Sequence, residues 1–435
     1  MGIDYDLTIY LLSSLIGVMV AFVIMMSFYY IAYWKLSKKP TLVAPHSDKL
    51  TKFAVLVAAR NESNVISHLL TSLLQQTYPR SSYEVYVIVE DLNDPTVKIT
   101  EKYGFKYFVR DRLTDDRKTK GYALQECIAH LNRNNLLYDA FMIFDADNII
   151  DPNYLEAMND LRQTGVKVGL GRRNFTNANV NWLTAGSSIM FSYMNQVTNK
   201  ARTLLFHKAT LMGTGYYVDR SIIDDIGYWI FTGMTEDIQF SSFCYLRDVY
   251  MRYYPLVSFY DEQSPSFHIV HLQHIRWLAG YFAKRKFLKS YGVQYDYHPK
   301  NFQSLMMFEY KYGLVPFIIF NVLMILGSFV ALAFGILATI YKQPLRTCAL
   351  LYFLAVLQFI IVYLSFVIPA SITVKRDGKS MGLTRKKAIV GILTYMFFFY
   401  DFALAFIDSL FHPSKKRTWK RVDHSGEVTN KSIKE

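Results

Sequence analysis

Three stretches of this sequence, Thr8 to Trp34, Leu314 to Tyr341 and Cys348 to Thr373, contain no acidic or basic side chain, and a fourth, Ala388 to Phe411, is nearly as apolar. Each exceeds the roughly 20 residues that cross a bilayer and is too long for an ordinary core helix, so part of the chain is built for a membrane. The first run reads as a permanent anchor over residues 1–35 and not as a cleaved leader. Its front end is acidic (Asp4, Asp6), its apolar stretch is too long, and no small-residue cleavage site follows.

Charge then sets direction. The residues before the first span carry no Lys or Arg, whereas Lys35, Lys38, Lys39, Lys49 and Lys52 follow it, so the large domain after it is expected on the cytoplasmic side of the plasma membrane. The formal charge of +13 raises nucleic acid as a partner. The excess, however, sits beside membrane segments (Lys375, Arg376, Lys379, Arg385 to Lys387, Lys415 to Arg421), where anionic lipid is the simpler partner, and no nucleic-acid partner is expected. Cys127, Cys244 and Cys348 lack the paired spacing of a disulfide frame or zinc site.

Topology contains a conflict. If the large domain is inside, the link Lys342 to Arg346 lies outside and the loop Val374 to Lys387 is inside again. A plain fourth crossing would then put the basic tail, residues 412–435, outside, against the positive-inside tendency. Asp401 in the middle of that span is costly in lipid. The expectation is that Ala388 to Phe411 dips in and returns, or lies along the cytoplasmic side, with Asp401 turned to a polymer route.

Residues 50–277 alternate strand and helix patterns. Strands are expected at Phe53 to Ala59, Glu84 to Glu90, Phe105 to Arg110, Phe141 to Asp145 and Val166 to Arg173, with helices at Glu62 to Gln76 and about Lys120 to Asn132. That order makes βαβ units and a Rossmann-like, mostly parallel sheet. Phe141-Met142-Ile143-Phe144 has no polar alternation and so suits a strand covered on both faces. Asp145 and Asp147 would stand at its carboxyl end, where such sheets bind ligands. Residues two apart on an extended segment share a side, so both carboxylates can converge on one divalent cation and the diphosphate that it neutralises.

Other polar groups fall at segment ends. Glu90 and Asp91 follow the second strand; Lys118 and Lys120 precede a helix start, where cation and helix end meet phosphate; Met212-Gly213-Thr214-Gly215 is a small-residue loop. Thr235 is expected to cap a helix opened by Glu236 and Asp237. Gln273, Arg276 and Trp277 share one helical face, a fork of donors beside an indole. Taken singly, each fits a turn, a helix start or an ordinary surface. Residues 278–313 interleave aromatic and basic side chains, as helices at a membrane surface do.

The ordered set resembles the processive family 2 glycosyltransferases, the bacterial relatives of cellulose, poly-N-acetylglucosamine and hyaluronan synthases, over roughly Lys52 to Lys289. The resemblance implies a GT-A-type α/β domain joined to an α-helical transmembrane bundle (residues 314–411). It implies that Asp91, with Glu90, binds the nucleotide; that Asp145 and Asp147 hold the sugar nucleotide and its Mg or Mn, beside which Lys120 is the cation expected at the phosphate from its helix start; that Asp237 is the general base and Glu236 its companion; and that Gln273, Arg276 and Trp277 serve the diphosphate and the acceptor end. The chain departs from the family's common Asp-Asp-Gly-Ser at Glu90-Asp91-Leu92-Asn93. A UDP-sugar donor, a growing polysaccharide, the lipid bilayer, and a homo-oligomer or accessory export proteins are the implied partners. A lipid glycosyltransferase making a single transfer is the alternative.

Overall fold

The structure, a computed structural model, describes residues 4–111, 114, 117–290 and 315–412. Two compact units are formed, one from Met1–Lys35 and Tyr297–Ile372, the other from Leu36–Asp296 and Thr373–Glu435. In chain order the elements are α1 (Tyr5–Ser37), β1 (Phe53–Ala58), α2 (Ile66–Leu74), β2 (Tyr83–Val89), α3 (Pro95–Lys102), β3 (Lys106–Val109), α4 (Lys120–Arg133), β4 (Ala140–Asp145), β5 (Ile149–Ile150), α5 (Tyr154–Gln163), β6 (Val168–Phe175), α6 (Trp182–Tyr193), α7 (Lys200–Phe206), β7 (Tyr216–Asp219), α8 (Arg220–Ile226), α9 (Glu236–Leu246), β8 (Met251–Asp261), α10 (Phe267–Ser290), α11 (Val315–Ile340), α12 (Leu345–Asp377) and α13 (Arg385–Phe411).

The sheet runs β3-β2-β1-β4-β7-β6-β8-β5. From β3 to β4 every pairing is parallel; β7 inserts antiparallel between β4 and β6, β6 and β8 are parallel, and β5 is antiparallel to β8. The mostly parallel, GT-A-type sheet is thus mixed at its centre, because the antiparallel β7 brings the glycine loop before it back to the carboxyl end of β4. Phe141 to Phe144 are buried on both faces, as their unbroken apolar run predicts. Ala58 pairs with both Ile88 and Asp145, so the ends of β1, β2 and β4 share one edge. The β6–β8 register slips between Gly171 and Arg172, where Pro255 in β8 cannot donate to the ladder.

The predicted helix at Glu62 begins four residues later, at Ile66. Asn61 takes a left-handed φ of 56° and donates its N–H to Asp94, and the Glu62 N–H goes to Thr96, which ties this turn to the start of α3.

Within the first unit Leu12, Ala331, Ala338, Leu351, Leu354 and Ala355 form a buried seam of leucine and alanine. Leu345 and Phe329 face outward at 85% and 67% exposure. Four described helices are long and apolar enough to cross a membrane. The last is α13, one unbroken helix of 27 residues, which corrects the dip-and-return path: a turn at mid-depth would leave backbone groups unpaired. Asp401, expected to face a polymer route, is 1% exposed and bonded to His271 and His274 of α10. The interfacial stretch begins inside α10, which runs on to Ser290; its remainder, and the basic tail after His412, lie outside the described residues.

Candidate active site

Asp145 ends β4, and its backbone N–H is shared by Asn148 Oδ1 (3.2 Å) and Thr214 Oγ1 (2.9 Å). Asn148 donates to Asp147 Oδ1 at 3.1 Å, and the Glu262 N–H donates to Asp147 Oδ2 at 3.1 Å. The Asp145–Asp147 tip is therefore fixed by the loop before β7 and by the end of β8. Lys120, first residue of α4, pairs with Asp145 and donates to the Gly213 carbonyl at 2.7 Å. Gly213 has φ +88°, a backbone that only glycine adopts without strain, and this conformation presents its carbonyl to Lys120.

The base candidates arrive on a braced loop. Thr119 caps α4 and donates to the Thr232 carbonyl at 2.8 Å, Gln125 donates to the Trp229 carbonyl at 2.6 Å, and Gln239 of α9 accepts from Gly233 at 3.0 Å. These bonds hold residues 229–235 so that Glu236 and Asp237 open α9. Thr235 does not cap that helix: with ψ 69° its hydroxyl turns away and is buried with no hydrogen-bond partner among the described residues. It lies instead against Gly280 of α10, where a Cβ would overlap it. Gly280→Val should push α9 from α10, at roughly 1–3 kcal/mol of overpacking, and transfer activity should collapse while nucleotide binding persists. Wild-type turnover in that variant would show that the close approach is dispensable.

Gln273, Arg276 and Trp277 lie with Gly280 along α10, as their spacing predicts. Trp277 stands edge-on to Phe191 at 6.0 Å. The Arg276 Nε is buried without a hydrogen-bond partner among the described residues. Burial lowers the Arg276 pKa against the opposing fields of Glu236, Asp237 and Asp145. Burial, then the Asp237 charge, pushes the Glu236 carboxyl up to about 8, with Lys120 pulling the other way. Asp237 is also raised, chiefly by burial, against the Ile238 N–H and Lys120. Burial would lower Lys120, but Asp145 and Glu236 outweigh it and raise that ammonium. Three carboxylates, Asp145, Glu236 and Asp237, thus meet the buried cations Lys120 and Arg276 at one sheet edge, a setting suited to proton abstraction beside an anion.

At the other end of the edge, the Asp91 carboxylate is held by Asn93 through its N–H (2.9 Å) and side chain (3.0 Å), and Asp91 is exposed. Glu90 is engaged by Arg60 and by Arg110 (3.3 Å). Sequence reading missed Arg173. It grips Asp261 with Nε at 3.2 and 3.1 Å, donates to the Met212 carbonyl at 2.9 Å, and lies 4.0 Å over the Phe191 ring. The β6–β8 pairing brings Arg173 to Asp261, and no local pattern announces it.

A family model described as glycosyltransferase like family 2 matches residues 51–280, just over half of the chain, and the protein belongs to that family: it is a glycosyltransferase. The probable glycosyltransferase YdaM of Bacillus subtilis (strain 168) is 24% identical over 383 residues, covering 86% of this chain and 85% of that protein. The beta-monoglucosyldiacylglycerol synthase of Trichormus variabilis is 28% identical over 237 residues (52% and 48%), and the poly-beta-1,6-N-acetyl-D-glucosamine synthase of Staphylococcus aureus (strain MSSA476) is 26% identical over 249 (57% and 58%). The chain spans about half the length of those last two. The mannosyltransferase PcManGT from Pyrobaculum calidifontis, in complex with GDP-Man and Mn2+, shares the fold, with a TM-score of 0.57 at 15% identity over 91% of this chain and 98% of that one.

Proposed function

We propose that the protein is a membrane-embedded, inverting glycosyltransferase that extends a polysaccharide from a UDP-sugar, UDP-glucose or UDP-N-acetylglucosamine, and passes it outward. The observation that carries this reading is the buried Arg276 Nε, unpartnered among the described residues, beside the acidic opening of α9. A buried guanidinium nitrogen calls for an anion, and a leaving diphosphate supplies one. In the transfer Asp237 takes the proton of the acceptor hydroxyl, the acceptor oxygen bonds to the anomeric carbon, and the nucleoside diphosphate leaves with the electron pair of the broken C–O bond. Trp277 and Gln273 flank the acceptor end; Asp91, with Glu90 behind it, faces the nucleoside.

The donor set at Asp145 and Asp147 fits Mg or Mn, since such hard ions take one or two carboxylates and complete their shell with phosphate oxygens and water. Asp145 is already paired with Lys120, so Asp147 would be the principal ligand. When bound, the ion neutralises charge on the leaving diphosphate. Asp147→Ala should weaken Mn-dependent donor binding at least about tenfold. Equal donor affinity in variant and wild type, with and without EDTA, would remove the cation from this place.

The second reading, a single transfer to a lipid, is favoured by the similarity to a beta-monoglucosyldiacylglycerol synthase. Product mass separates the two: purified protein in lipid with donor should yield chains of many sugars. A product limited to one sugar on a lipid acceptor would replace the polymerase reading.

A further inference from the structure

Behind the catalytic face of α10 lies a chain of five titratable side chains that the transfer reaction does not use. Asp401 of α13, 1% exposed, bonds His271 Nδ1 through Oδ1 and His274 Nδ1 through Oδ2, each at 2.6 Å. His271 continues through Nε2 to Asp408 at 3.1 Å, and the other Asp408 oxygen meets His412 Nδ1 at 2.6 Å. His271 thus bridges two acids on α13 through its two ring nitrogens. His274 stacks on Phe402 with centroids 3.7 Å apart. The α6 face against α13 is apolar, Gly391 lying against Ile189 and Ala185, and Gly186 against Phe398.

Helical spacing places His271 and His274 on one side of α10 and Gln273, Arg276 and Gly280 on the other, with Trp277 at the boundary, 5.3 Å from the His274 ring. A buried carboxylate adds little net stability but admits few arrangements of its partners, so its effect here falls on helix rotation. We infer that Asp401 is a positioning residue for sugar transfer: by clamping His271 and His274 from behind, it sets the rotation of α10 that turns Arg276 and Trp277 toward Glu236 and Asp237. This rests on the reading of Arg276 as the diphosphate partner.

The test uses the full chain in lipid, with UDP release and UDP binding as readouts. Asp401→Asn keeps shape and volume but replaces one of the two carboxylate oxygens that hold His271 and His274 with an amide nitrogen. Its kcat should fall about tenfold or more, since small misplacements of positioned groups cost that much, while UDP binding weakens no further than it does in Arg276→Lys. Combined with Arg276→Lys it should be no slower than Arg276→Lys alone, because both act through one guanidinium. Asp401→Asn with wild-type kcat, or losses that multiply in the double variant, would overturn the inference. Should Asp401→Asn lose UDP binding, and so the fold, His271→Gln takes its place, with the same non-additivity expected and multiplying losses again decisive against it. A wild-type protein that releases no nucleotide sinks the functional reading and this inference together; an active wild type with an active Asp401→Asn sinks this inference alone.

Discussion

Asp237→Asn is expected to lower sugar transfer by roughly 10² to 10⁴-fold while leaving donor binding nearly intact, since it removes a positioned base and no ligand of the nucleotide. Single-turnover rates beside equilibrium UDP-sugar binding would check it. An Asn variant with more than about a tenth of wild-type turnover would place the base elsewhere. The same carboxylate predicts a pH dependence. A base must be ionised to accept a proton, so the rate falls as pH drops through its pKa. Burial raises the Asp237 pKa, and its neighbour Glu236 is pushed up to about 8. The acid limb of kcat/KM should therefore begin well above the ordinary carboxylate range near about 4. A profile flat down to that range would mean that the pair is not the base.

Arg276→Lys carries the second large effect. The guanidinium is buried, its Nε is unpartnered among the described residues, and the acids of α9 are within electrostatic reach. Lysine keeps the charge but loses the planar fork that matches a diphosphate, and loss of preorganised stabilisation at a developing charge costs roughly 10² to 10³ in kcat. UDP, the product, should also inhibit the variant more weakly. Near-normal kcat with unchanged UDP inhibition would take the diphosphate away from Arg276.

Much of this site is legible along the sequence because its groups sit at the ends of locally readable elements. The apolar run before Asp145 is a strand buried on both faces, and Glu236 and Asp237 open the helix expected of them. What the sequence could not carry is what depends on pairing between distant segments. Thr235 has a good cap residue's chemistry, yet the close approach of Gly280 takes its side chain for packing. Arg173 and Asp261 meet through a strand pair separated in the chain by α6 to α9 and β7. Asp401 reads as a costly acid in an apolar span, and only the docking of α13 on α10 reveals two histidines spaced to receive it. Tertiary contact overrides local preference in each case.

The most direct test is nucleotide release by the purified full-length protein in lipid, supplied in turn with UDP-glucose, UDP-N-acetylglucosamine and GDP-mannose, with Mn or EDTA. The expected result is Mn-dependent UDP release from one of the UDP-sugars, lost with EDTA and in Asp237→Asn. Release from GDP-mannose alone, or from no donor by a protein that still binds UDP, would contradict it.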